Sequence, residues 1–291
     1  MGGGSYSYQA ASGRSHNLRA SNASRESIFR QRSLSSDMNI RGKVRESCDS
    51  GEHPTSFPII IALDVTGSMG QVPENLIKEA FPLVMKSLQE HGIDHAQVCF
   101  MGIGDHYSDN APIQVGQFET SDELTEKWLK GIFIEGGGGG NNGESYLLAW
   151  YTAAFHTKID SFLKRKKKGV LITIGDEPCH KLVDARTIKE LFGTGEKGMT
   201  ASDLFRAASE QWDVYHININ TWSSKEYRSQ DKWRELIGSH LVSAESMESK
   251  EISHIISSIV VKSYQCQTEL EEILESGETP AVEQPKVKHE L

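Results

Sequence analysis

The stretch Pro58-Ile59-Ile60-Ile61-Ala62-Leu63-Asp64-Val65-Thr66-Gly67-Ser68-Met69-Gly70 constrains the fold more than any other part of the chain. An apolar, β-favouring run stops abruptly at a carboxylate, followed by two hydroxyls at alternate positions and two glycines. This is the pattern of a buried strand leaving a sheet at a site. Asp64, Thr66 and Ser68, spaced by two in a tight turn, can aim three oxygens at one point. A small hard cation such as Mg²⁺ prefers such ligands.

The same pattern recurs. Ala96 to Gly104 reads as a second buried strand, ending in Asp105, with His106 and Asp109 close behind. Val170 to Gly175 is a third, ending in Asp176, with Glu177, Cys179 and His180 crowding the turn, and Val214 to Asn220 is a fourth. Gln114 to Phe118 alternates polar and apolar residues, as an edge strand does. Helical stripes fall between the strands. Leu76, Ile77, Ala80, Phe81, Val84 and Leu88 make one, with Pro82 predicting a kink or restart. Others cover Ser121 to Leu129, the segment around Leu147 to Phe155, Ala185 to Phe192, Ser202 to Gln211 and Lys232 to Gly238. A short strand around Leu241 to Ala244 and a helix from Glu248 to about Lys262 close the domain.

Strands alternating with helices predict a doubly wound, mainly parallel α/β sheet, and the fold expected overall, that of the family resemblance given below, adds one antiparallel edge strand. Ligands in such sheets sit beyond the carboxyl ends of strands, where the strand order reverses. Asp64, Asp105 and Asp176 would share that edge. The loop Glu135-Gly136-Gly137-Gly138-Gly139-Gly140-Asn141-Asn142-Gly143-Glu144-Ser145 would lie beside them, its glycines letting backbone fold closely around a ligand. Three carboxylates on one rim repel, and a divalent cation relieves that repulsion.

At 291 residues with 37% hydrophobic content, the chain can bury one sizeable core. The expected division is a flexible basic arm over 1–56, one domain over 57–264 and an acidic disordered tail over 265–291. The arm is assigned because Ser, Gly, Asn and Arg dominate it, while Leu34, Met38, Ile40 and Val44 among the basic residues of its latter half make a mixture that could instead dock on the domain or a partner. A net charge of −9 argues against nucleic acid as a partner. No apolar run approaches the roughly 20 residues of a bilayer span, and no apolar secretory core opens the chain, so the expectation is a cytoplasmic protein without membrane contact. Met1-Gly2 lacks the Ser or Thr of a myristoylation signal at Tyr6, and the terminal Lys288-His289-Glu290-Leu291 reads as a chance match to a retrieval tail. The four cysteines (Cys48, Cys99, Cys179, Cys266) lack metal or disulfide spacing. Lys164 to Lys168 reads as a solvated helix end.

Asp64-Val65-Thr66-Gly67-Ser68 resembles the D-x-[ST]-x-S motif of von Willebrand factor A (vWA) domains, and Asp176 resembles the family's third-loop Asp. The Gly-rich second loop resembles that of bacterial and kinase-associated members. The resemblance implies a Rossmann-like sheet carrying a metal-ion-dependent adhesion site. Thr66 and Ser68 would ligate Mg²⁺ (or Mn²⁺ or Ca²⁺) directly, and Asp64 and Asp176 directly or through water. The family's second-loop Thr is absent, so Asn141, Asn142 or Glu144 would replace it. Asp105, His106, Glu177 and His180 would form a partner-binding rim. The implied function is a non-catalytic module that captures another protein through an Asp or Glu presented to the metal.

A hydrophobic strand followed by Asp-x-Thr-Gly-Ser, with a later Gly175-Asp176, also looks like a haloacid-dehalogenase-type phosphotransferase, in which the first Asp is a nucleophile. Against this, a helix follows the motif within a few residues, where those enzymes carry a flap. The Lys164 to Lys168 run also lies before its strand, at the opposite edge of the sheet.

Overall fold

A computed structural model describes residues 4–69, 71–136, 142–195 and 197–276. Its central sheet has six strands: β1 (Phe57–Asp64), β2 (Ala96–Ile103), β3 (Ile113–Val115), β4 (Gly169–Gly175), β5 (Trp212–Ile219) and β6 (Leu241–Ala244). They lie in the order β6-β5-β4-β1-β2-β3. Neighbours are parallel except β3, which runs antiparallel to β2 at the edge. The sheet is therefore doubly wound and mainly parallel, as the alternation of strands and helices predicts.

Every residue of β1, β2 and β4 is buried, because these strands have helices over both faces. Alternation along β1 feeds two cores: Ile59, Ile61 and Leu63 enter one, Ile60 and Ala62 the other. The first core is closed by α1 (Tyr8–Ala20), α2 (Phe81–Glu90), α3 (Asp122–Lys130) and α8 (Ser249–Ser276), the second by α4 (Tyr146–Phe155), α5 (Ala185–Phe192), α6 (Ala201–Ala208) and α7 (Ser229–Ile237). Strand order reverses beside β1. From β1 the chain steps outward to β2 and β3, then crosses to β4 on the other side. The gap between the carboxyl ends of β1 and β4 is thus the switch point where such sheets bind ligands.

Pro82 is accommodated as its chemistry requires. A helix over Gln71–Asn75 widens into a π turn over Leu76–Ala80 before α2 restarts with Pro82 in its first turn. The wider turn relieves the clash between the proline ring and the carbonyl four residues back.

The N-terminal segment departs from the expected free arm. Tyr6, Ala11, Ile28, Phe29, Met38 and Ile40 are buried against the sheet domain. Arg14 bridges Asp122 and Glu126 of α3 at 2.5 Å each. Arg45–Ser47 pairs in parallel with Thr157–Ile159, and the Arg45 guanidinium donates to the Val115 carbonyl at 2.7 Å. A polar average composition concealed a sparse set of apolar residues that meet an existing surface, a cheaper ordering than building a core of their own. At the other end α8 continues to Ser276, well beyond the helix end expected near Lys262. The remainder of the expected acidic tail, residues 277–291, lies outside the described residues. Among the described residues, no helix is long and apolar enough to cross a membrane.

Candidate functional site

Asp64 is the last residue of β1 and is fully buried. Its Oδ1 accepts from the Thr66 backbone N–H at 2.9 Å and the Thr66 hydroxyl at 2.6 Å. Its Oδ2 accepts from the Tyr146 hydroxyl at 2.7 Å. Gly175 makes that contact possible, since a Cβ there would lie 1.8 Å from the Tyr146 oxygen. The register pairs Leu63 with Ile174, which sets Asp64 beside Gly175 and brings Asp176 to the same edge. Asp176 is buried and accepts from the Thr221 hydroxyl at 2.6 Å. Burial and then the Asp176 charge push the Asp64 carboxyl above its usual range, although the bonds from Thr66 and Tyr146 oppose the shift.

Glu144 comes from the second loop. It is 2% exposed, and its Oε2 is buried without a hydrogen-bond partner. Burial, followed by the charges of Asp64, Glu177, Asp105 and Asp109, raises its pKa strongly. Glu177 is pushed to about 7 by burial and by Asp176, Asp64 and Asp105. Two backbone bonds hold the second and third loops together: Glu144 N–H to the Pro178 carbonyl at 2.9 Å, and His180 N–H to the Glu144 carbonyl at 3.1 Å. The structure therefore unites Asp64, Thr66, Glu144 and Asp176 at one rim. Asn142 is exposed with φ 62°, while Asn141 and the Ser68 side chain lie outside the described residues.

Beside this rim a second group converges. Asp105 is buried just beyond β2; its Oδ1 lies 2.8 Å from His180 Nε2 and accepts from the Tyr107 N–H at 3.1 Å. Its Oδ2 accepts from the Ser108 hydroxyl at 3.0 Å. His106 Nδ1 lies 2.7 Å from the Ser145 hydroxyl, and its Nε2 is buried without a partner. One ligand atom from each of Asp105, His106 and His180 lies within 4.8 Å of the others.

Cys179 belongs to the same turn, where desolvation raises its thiol pKa and so disfavours the thiolate a nucleophile needs. Lys164 and Arg165 pair with Asp160 and Asp49 at 2.7 and 2.5 Å, before the amino end of β4 and away from Asp64. Thr221, Tyr146 and Ser145 were not singled out by sequence. The available signal was positional: Thr221 follows a strand at its carboxyl end, and Ser145 and Tyr146 lead directly from Glu144 into a helix.

No protein-family model matches the sequence, and no curated protein sequence matches it. Among solved structures, the chain is similar to the pilus adhesin SpaC of Lactobacillus rhamnosus GG in its open conformation, with a TM-score of 0.47 and 11% identity over 76% of this chain and 31% of that one. It is also similar to the vWF domain of the type V pili tip protein Mfa5 of Porphyromonas gingivalis, with a TM-score of 0.44 and 8% identity over 71% of this chain and 96% of that one. A third similarity, to proximal thread matrix protein 1 from the mussel byssus, has a TM-score of 0.41 and 11% identity over 75% and 49% of the two chains. The chain thus spans less than a third of SpaC. Strand order, register and the two helix layers themselves define a doubly wound, mainly parallel α/β domain.

Proposed function

We propose that the chain is a divalent-cation-dependent protein-binding module, holding Mg²⁺ at the switch point between β1 and β4. The observation that carries this reading is the buried, unpartnered Glu144 oxygen in a rim shared with Asp64, Asp176 and Glu177, where burial and then the charges of Asp64 and Glu177 raise the Glu144 pKa. A cation is what such a donor set lacks, and an all-oxygen set suits Mg²⁺, with Mn²⁺ or Ca²⁺ as substitutes.

Thr66 and Ser68 would supply hydroxyl ligands, and Asp64 and Asp176 carboxylates or water-mediated contacts. Glu144 would take the second-loop role that the family gives to Thr. Thr66 can donate its proton to Asp64 while its oxygen lone pairs remain free for a cation. A bound Mg²⁺ supplies positive charge with an exchangeable coordination position, and the chemical class of partner that fits is a protein presenting an Asp or Glu carboxylate.

The test is capture of protein partners by the immobilised full chain in Mg²⁺ and in EDTA, with Asp64→Asn alongside. Capture should require Mg²⁺ and be lost in Asp64→Asn. Undiminished capture in EDTA would reject the reading.

A further inference from the structure

Asp105, His106 and His180 take no part in the oxygen cradle, and we propose that they form a second metal site selective for a borderline transition-metal dication of the Zn²⁺ class. They come from two loops 75 positions apart, yet their ligand atoms lie within 4.8 Å of one another. His180 Nε2 and Asp105 Oδ1 lie 2.8 Å apart. Two ligands sharing one tetrahedral ion with bonds of 2.0–2.1 Å stand about 3.3 Å apart, so an ion can replace the proton between them with small side-chain rotations.

The orientation of His106 is the stronger argument. Its Nδ1 is engaged by the Ser145 hydroxyl at 2.7 Å, while its Nε2 is buried and unsatisfied. The Ser145 oxygen also accepts from the His106 backbone N–H at 2.8 Å, and in the tautomer whose Nδ1–H donates to it Nε2 presents a lone pair. Metal-binding histidines are held in this way, the outer nitrogen tied to an acceptor and the inner one left for the ion. Asp105 is likewise braced from behind by Tyr107 and Ser108 at 3.1 and 3.0 Å. Gly143 leaves room for the His180 ring, since a Cβ there would lie 3.0 Å from its Nδ1. The two imidazoles stand edge to face, with ring centroids 5.2 Å apart.

Two imidazole nitrogens and one carboxylate suit Zn²⁺, Co²⁺ or Fe²⁺ and are poor ligands for Mg²⁺. Three protein ligands leave one tetrahedral position open, for water or for a donor from a partner. Neighbouring turns would then sort cations by donor type: oxygen for Mg²⁺, mixed nitrogen and oxygen for the transition metal.

Co²⁺ titrated into the chelator-stripped full chain should produce one equivalent of the visible absorption of a tetrahedral site, and Zn²⁺ but not Mg²⁺ should displace it. His106→Asn and His180→Asn should each weaken Zn²⁺ binding by more than about tenfold. His53→Asn serves as the control, because His53 and His95 form another close pair, with Nδ1 atoms 3.3 Å apart. If both site variants misfold by circular dichroism, the wild-type protein still decides, through Co²⁺ shifts on the His106 and His180 imidazole resonances. The proposal is overturned if no stoichiometric spectrum forms, if folded His106 and His180 variants bind Zn²⁺ as wild type does, or if those resonances do not move. Mg²⁺-dependent stabilisation that survives in His180→Asn would separate this site from the oxygen cradle.

Discussion

Glu144 is in an unusual position for a carboxyl: nearly fully buried, with one oxygen unpartnered and other acids around it. Unfolded, it ionises at the ordinary value of about 4.3; folded, it keeps its proton to higher pH. Across that interval the native state binds more protons than the unfolded state, so this group's contribution to metal-free stability falls as pH rises. Glu144→Gln removes that contribution. In EDTA at pH 8 the variant should melt above wild type, by about 1 kcal/mol or roughly 2–4 °C, and the difference should vanish near pH 4. Equal melting temperatures at pH 8 would show that the site does not strain the metal-free fold. Gly175 is constrained for a steric reason. A methyl group there would meet the Tyr146 hydroxyl at 1.8 Å and push it off Asp64. Gly175→Ala should cost about 1–3 kcal/mol of stability by thermal melting.

At the scale of elements, the N-terminal segment shows how tertiary contacts override composition. Residues 45–47 add a short strand pair, and Asp49 ties that region to the sheet domain through Arg165 at 2.5 Å and the Ser56 hydroxyl at 2.8 Å. Burial raises the Asp49 pKa, but the bonds from Arg165 and Ser56 outweigh it and hold the carboxyl down to about 2. A depressed acid stabilises the fold above its unfolded pKa of about 3.9, and that stabilisation disappears as pH falls through 2. Asp49→Asn should therefore cost about 1 kcal/mol at pH 7, allowing for solvent screening, and close to nothing at pH 2. Urea melts at both pH values read the difference. The π turn before Pro82 belongs to this scale as well. Sequence predicted an interruption there; which backbone form absorbs it depends on how the helix sits against the first core.

The whole molecule is acidic, and it gathers Asp64, Glu144, Asp176 and Glu177 at one sheet edge. If a cation completes that edge, it binds the native state and not the unfolded one. Mg²⁺ at a hundred times its dissociation constant should then stabilise the chain by about 2.7 kcal/mol, and Asp64→Asn should abolish the shift. Calorimetric melts with and without Mg²⁺ provide the measurement. An identical increment in wild type and Asp64→Asn would assign the stabilisation to another part of the surface.

Sequence alone determined the doubly wound, mainly parallel sheet and the placement of Asp64 and Asp176 at strand ends. Each depends on local periodicity and on where an apolar run stops, which neighbouring residues encode. Only the tertiary structure decided that Glu144 is buried beside Asp64, that Tyr146 and Thr221 bond the two aspartates, and that His106 and His180 meet at Asp105. Those pairings join loops far apart in the chain, and their geometry follows from strand register and backbone bonds between loops, which no single stretch of sequence contains. The docking of the N-terminal segment was only half legible for the same reason: Met38 and Ile40 stand out in the sequence, but the surface they cover does not.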